Sequence, residues 1–124
     1  MSGREILVDT NIALYFLKGD PEVVEILKDK SVYVSFITEI ELLSFPKLNK
    51  QSTKMIREFL SLCKVVGYGD ELRDKTVEIR KKASLKLPDA IIAATSFTLQ
   101  LPFITADKQF KRVENLNVIF YQIT

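Results

Sequence analysis

Four carboxylates, Asp9, Glu41, Asp89 and Asp107, recur in similar local settings. Each lies where an apolar run gives way to a helical pattern. If the fold gathers them, their charges repel at neutral pH, and a divalent cation is the natural compensation. An all-oxygen ligand set favours a hard ion, Mg²⁺ or Mn²⁺, over zinc. The chemistry open to such a site is polarisation of a phosphoryl oxygen and activation of water for in-line displacement. The chain has no histidine and a single cysteine, Cys63, so imidazole catalysis and histidine-based zinc sites are excluded.

Each acid also has a plainer local reading. Glu41 stands three residues after Thr38, the spacing of a capping box, with Ile37 and Leu42 at the two staple positions. Asp89 follows Pro88 as a favourable first-turn acid, and Asp107 is placed to cap a turn over Lys108-Gln109-Phe110. Asp9 is different. Asn11 is the better cap for the helix that follows, which leaves Asp9 as a carboxylate at the end of a buried strand without a structural task.

The elements that must position these groups alternate along the chain. Ile6-Leu7-Val8 is a strand buried on both faces, ending at Asp9, Thr10 and Asn11. A helix from Ile12 to about Lys18 follows, stopped by Gly19, and Asp20-Pro21 starts a second with Val23, Val24 and Leu27 on its apolar side. Val32-Tyr33-Val34 is the second strand and leads into the helix carrying Glu41, which Pro46 limits. Residues 50–63 read as a helix with Met55, Phe59 and Leu62 inward, and Lys64-Val65-Val66 as a third strand. Helices over about 70–84 and 88–98, a strand at Phe103-Ile104, a turn over 107–112 and a fifth strand at 117–121 complete the chain. Strands separated by helices favour a three-layer α/β/α sandwich on a parallel sheet with right-handed crossovers. The carboxyl ends of such strands open into the crevice where ligands bind.

The 124 residues, 47% apolar and 27% charged with four glycines and four prolines, fit one folded domain spanning 1–124. The net charge of +2 neither demands nor excludes a nucleic-acid partner, since a local patch matters more than the total. Cys63, in an apolar run, reads as a buried thiol suited to a reducing cytosol. No apolar stretch is long enough to cross a bilayer, and no targeting or lipidation motif is visible, so a cytoplasmic location without a membrane is expected.

With those residues in view, the chain resembles the PIN-domain family, and within it the VapC-like toxin ribonucleases of toxin-antitoxin pairs. The resembling segments are Leu7-Val8-Asp9-Thr10-Asn11, 35–42 from Ser35 to Leu42, 87–94 from Leu87 to Ala94, and Ile104-Thr105-Ala106-Asp107 with Phe110. They occur in the family's order over nearly the full length. The resemblance implies a central five-stranded parallel sheet and a metal-dependent endoribonuclease whose acids fall on Asp9, Glu41, Asp89 and Asp107. It implies supporting hydroxyl and amide groups at Thr10, Asn11, Thr38 and Thr105, and a homodimer neutralised by a small antitoxin protein. In-line attack by water would leave a 5′-phosphate and a 3′-hydroxyl. Many relatives carry a further acid at the position of Gln109, where an amide orients water or phosphate without adding charge.

An RNA substrate also needs cations near the acids. Lys47, Lys50 and Lys54 with Arg57 form one cluster, Arg80, Lys82 and Lys86 with Lys81 a second, and Lys108 with Lys111 and Arg112 a third. The same residues are ordinary on solvated helix faces. Tyr15, Phe16 and Tyr68 are able to stack on unpaired bases, although Tyr15 and Phe16 on the first helix suit a core or an interface better. A receiver domain would need a lysine after the last core strand, and a haloacid-type phosphatase an acid where Asn11 stands. The alternative of a different class is a catalytically weak PIN-like module that binds RNA or protein.

Overall fold

The computed structural model describes residues 3–122. Five short strands, β1 (Glu5–Val8), β2 (Ser31–Ser35), β3 (Lys64–Val66), β4 (Phe103–Thr105) and β5 (Val118–Phe120), form one sheet in the order β3-β2-β1-β4-β5. Every pairing is parallel. Around it lie α1 (Thr10–Leu17), α2 (Pro21–Leu27), α3 (Phe36–Leu43), α4 (Lys50–Leu62), α5 (Asp70–Lys82), α6 (Leu87–Leu99) and a 3₁₀ turn (Lys108–Arg112).

The central strand shows why the protein is a sandwich. Successive strand side chains point to opposite faces. Leu7 packs in one apolar cluster with Leu72 and Ile79 of α5, Ala90 and Ala93 of α6, and Phe110. Ile6 and Val8 pack in the other with Ile12 of α1, Val23 of α2 and Phe59 of α4. A strand apolar on both faces has to be covered on both, and these two helix layers cover it. Phe103 and Ile104 of β4 divide between the same two clusters.

The face of α4 differs from the sequence expectation. On α4 the buried residues are Ile56, Phe59 and Leu60, while Met55 and Leu62 are exposed. The apolar stripe of α4 is broad enough to allow either phase, and packing against α1 selects the one containing Ile56. On α5, Thr76 is buried and Val77 exposed, because Thr76 satisfies its hydroxyl locally by donating to the Leu72 carbonyl at 2.7 Å. Phe16 and Tyr15 serve the core, Phe16 against Phe59 with ring centroids 5.4 Å apart and Tyr15 beside Tyr121 at 6.2 Å. Cys63 is half-buried rather than fully enclosed, and burial pushes its thiol up to about 11.

The sheet order has a functional consequence. From β1 the chain moves outward through β2 and β3, then returns to the other side of β1 for β4 and β5. Loops leaving β1 and β4 therefore diverge to opposite faces, and a crevice opens between them at the carboxyl edge. Asp9 and Asp107 lie just beyond those two strand ends.

Candidate metal centre

Asp9 is set in place by the first turn of α1. It adopts extended backbone geometry as the N-cap, and its Oδ1 accepts the Ile12 N–H at 2.9 Å. The cap is therefore Asp9 rather than Asn11, which lies inside the helix and is exposed. The helix begins as soon as β1 ends, so the amides needing a partner are those within reach of Asp9. Asp9 thus has a structural task besides its position at the strand end.

The second oxygen of Asp9 faces β4. Oδ2 accepts the hydroxyl of Thr105, which is fully buried, and the Thr105 oxygen in turn accepts the Asp107 N–H at 3.0 Å. One threonine thereby ties the acid after β1 to the acid after β4. Asp107 caps the 3₁₀ turn, with Oδ1 accepting the Gln109 N–H at 2.9 Å and Oδ2 the Gln109 side-chain amide at 3.3 Å. Gln109 steadies Asp107 with both of its donors.

Glu41 reaches the same place by a different route from the capping box. The N-cap of α3 is Ser35, whose Oγ accepts the Ile37 N–H at 3.1 Å. Thr38 is then the third helical residue, and Glu41 lies in the last turn rather than the first. The helix starts directly off β2, so the nearest hydroxyl takes the cap and Thr38 is free for another partner. Its hydroxyl oxygen lies 3.0 Å from that of Thr10, which is 2.6 Å from Glu41 Oε1. Thr10 has one hydrogen to give, and the carboxylate is the stronger acceptor. Near the C-terminus of α3 the helix dipole gives the Glu41 charge no support.

Asp89 is in the first turn of α6, where the dipole favours it. Asp9, Glu41, Asp89 and Asp107 line one pocket of about 250 Å³ with Thr10, Asn11, Leu14, Phe45 and Ile92. Thr105 and Gln109 stand behind the acids and hydrogen-bond to them, and Thr38 meets Thr10, the partner of Glu41. The apolar residues Leu14, Phe45 and Ile92 were not singled out from the sequence. Their signal is helical spacing, since each follows a pocket residue by three or four positions: Leu14 after Asn11, Phe45 after Glu41, Ile92 after Asp89.

The carboxylates feel one another. Burial raises Asp9 to about 6, against hydrogen bonds from Thr105 and Ile12 that lower it, with Asp107 and Asp89 adding to the rise. Asp89 is also raised, first by burial and then by Asp107 and Glu41, with Lys86 opposing. A cluster in which buried Asp9 and half-buried Asp89 resist ionisation fits a compensating cation, and its oxygen donors fit a hard one. Among the described residues, no three acidic, cysteine or histidine side chains stand close enough to hold a metal ion by themselves. An ion that keeps several of its waters, as Mg²⁺ does, tolerates such an open arrangement.

The cations expected near the substrate separate into two groups. Lys86 is the N-cap residue of α6 and acts electrostatically on Asp89, Lys108 directly follows Asp107, and Lys47 lies two residues after Phe45. The others lie off the pocket. Lys50 and Lys54 line a separate shallow groove with Arg57, Lys82 is 3.4 Å from Glu78, and Arg80 donates to the Leu85 carbonyl at 3.4 Å.

Comparison with known proteins agrees with this architecture. The family described as PIN domain matches residues 6–116. No curated protein sequence matches the chain significantly. Among solved structures, a chain of a toxin-antitoxin complex from Klebsiella pneumoniae is 29% identical, with a TM-score of 0.82 over 95% of this chain and 99% of that one. FitAcB from Neisseria gonorrhoeae is 25% identical, with a TM-score of 0.74 over 94% and 96%. VapBC-1 from nontypeable Haemophilus influenzae, at 23% identity, shares the fold with a TM-score of 0.81 over 94% and 97%. Among the described residues no helix is long and apolar enough to cross a membrane. With its parallel β3-β2-β1-β4-β5 sheet, an acid pocket at the carboxyl edge and a family match over most of its length, the chain belongs to the PIN-domain family.

Proposed function

We propose that this protein is a divalent-metal-dependent endoribonuclease, acting as the toxin of a toxin-antitoxin pair in the cytoplasm. The observation that carries this reading is the convergence of Asp9, Glu41, Asp89 and Asp107, from four separate parts of the chain, on one pocket at the switch point of the sheet. The likeness to a chain of a toxin-antitoxin complex supports the toxin assignment and a small antitoxin partner. A homodimer accords with the same family.

Asp9, Asp89, Asp107 and Glu41 would hold Mg²⁺ or Mn²⁺, directly or through water. The bound ion would supply a lowered pKa for the attacking water and charge stabilisation at the scissile phosphate. The chain's own residues do the rest. Thr105 holds Asp9 and Asp107 in register, and Thr10 with Thr38 fixes the outer carboxylate of Glu41. Asn11, open to solvent on the pocket wall, is placed to orient water or a phosphate oxygen. Lys47, Lys86 and Lys108 steady the RNA backbone beside the pocket, while Lys50, Lys54, Arg80 and Lys82, which lie off it, are left to more distant phosphates of a longer RNA.

A second reading is a catalytically weak RNA- or protein-binding module. The open spacing of the acids and the neutral Gln109 favour it. One experiment separates the two. Purified protein is incubated with structured and unstructured RNAs in Mg²⁺, Mn²⁺ or chelator, beside its Asp9→Asn and Asp89→Asn forms. Metal-dependent cleavage lost in both variants supports the enzyme; binding without cleavage under any metal supports the module.

A further inference from the structure

We propose that Phe45 is the specificity-determining residue of the acid pocket, a platform on which an unpaired nucleobase beside the scissile phosphate stacks. The proposal rests on the nuclease reading and names the kind of RNA that this site accepts.

The pocket has two characters. Its acids are accompanied by an apolar wall of Leu14, Phe45 and Ile92. Ile92 is buried and Leu14 half-buried, so their side chains are occupied with packing. Phe45 belongs to neither apolar cluster and is 37% exposed. Among the described residues it is the one aromatic side chain on the pocket wall, and part of it is open there.

Phe45 leaves α3 directly beside Glu41. The Ser44 N–H donates to the Glu41 carbonyl at 3.2 Å, closing the last turn of α3, and Phe45 is the next residue. Pro46 follows with its restricted backbone, then Lys47 in the left-handed region at φ 67°. Glu41 and Phe45 are thus carried on the same short length of chain.

Charge then decides what the ring is for. Four carboxylates repel a phosphodiester, and an ion offsets this only at the phosphate it touches. The rest of the nucleotide needs an attraction that does not depend on charge, and a base stacked on an aromatic face supplies one without regard to sequence. In a duplex both faces of each base are already covered by neighbours. The ring is therefore useful only to an unpaired nucleotide, which makes the site selective for single-stranded or looped RNA.

The test uses unstructured RNA oligonucleotides with one 2-aminopurine moved position by position. They are bound, in Ca²⁺ as a hard ion that takes the same oxygen donors without the tight octahedral geometry of Mg²⁺, to the native chain and to the chain carrying Phe45→Ala, Phe45→Leu or Phe45→Tyr. Circular dichroism and thermal unfolding confirm that all four forms fold. Quenching is expected at one position with Phe45 and Phe45→Tyr and is absent with Phe45→Ala and Phe45→Leu. Affinity should fall about tenfold for Phe45→Ala. An abasic nucleotide at the quenched position should remove the difference between Phe45 and Ala. Cleavage in Mg²⁺ should show the loss in KM, with kcat little changed. RNA bound with the same signal and affinity in all four forms would overturn this proposal alone and leave the ring to a protein partner. No RNA binding in any form would overturn the nuclease reading together with it.

Discussion

Thr105 donates its hydroxyl to Asp9 across 96 positions of sequence, and the same oxygen accepts the Asp107 amide. A fully buried side chain at the end of β4 therefore sets the position of two acids at once. Its neighbours β1 and β4 make this possible by pairing Val8 with Ile104, so that both strands end side by side.

Thr105→Val keeps the shape of the side chain and removes the hydroxyl. It strands one oxygen of buried Asp9 and the amide of Asp107, a loss of about 1–3 kcal/mol. Urea unfolding is expected to show that loss, and cleavage to fall with it, while Thr105→Ser retains most of both. Equal stability of Val and wild type would remove the link between the two acids.

Asp9 makes the metal-free protein sensitive to pH in a defined direction. Its carboxyl titrates at about 6 in the folded chain against 3.8 for the unperturbed group, so the folded state binds the proton more tightly. Stability is therefore greatest below pH 3.8 for this group, falls as pH rises, and has lost its full share above about 6. A rise of this size corresponds to about 3 kcal/mol. In EDTA, thermal unfolding from pH 4 to 8 should show that decline in the wild type, and Asp9→Asn should flatten it, since asparagine keeps the helix cap. At pH 7.5 added Mg²⁺ should raise the wild-type Tm and leave the Asn form unmoved. A rising wild-type profile between pH 4 and 6 would contradict the burial of this charge.

The phase of α4 gives a contrast between two leucine-sized residues. Ile56→Ala should cost about 2–4 kcal/mol, because Ile56 is nearly enclosed between α4 and its neighbours. Leu62→Ser, at a residue 84% exposed, should stay within about 0.5 kcal/mol of wild type. Chemical denaturation of the two variants measures both, and the reverse order would mean that α4 is turned the other way.

Cys63 should be a slow thiol. With its pKa pushed up to about 11 by burial, little thiolate exists at pH 7.5. A thiol-specific disulfide reagent is expected to react far more slowly with folded protein than with the chain in denaturant. Equal rates in the two states would place the sulfur in solvent.

The sequence alone determined the layers. An apolar β1 with no polar face, alternation of strands with helices, and Asp20-Pro21 as a helix start are local patterns whose physics needs no partner, and each stands in the structure. Asp9, Asp89 and Asp107 are legible for the same reason, as residues following strand ends or opening helices, whereas Glu41 lies in the last turn of α3 and comes to the pocket only through the fold. What the tertiary structure decided was every choice among local equals. Asn11 and Asp9, or Thr38 and Ser35, are comparable caps on paper, and the point at which the strand stops selects between them. Met55 and Ile56 offer comparable apolar faces, and only packing against α1 distinguishes them. The apolar wall of Leu14, Phe45 and Ile92 beside the acids belongs to this second kind, because a pocket is a relation between elements distant in sequence, and no single stretch of chain contains it.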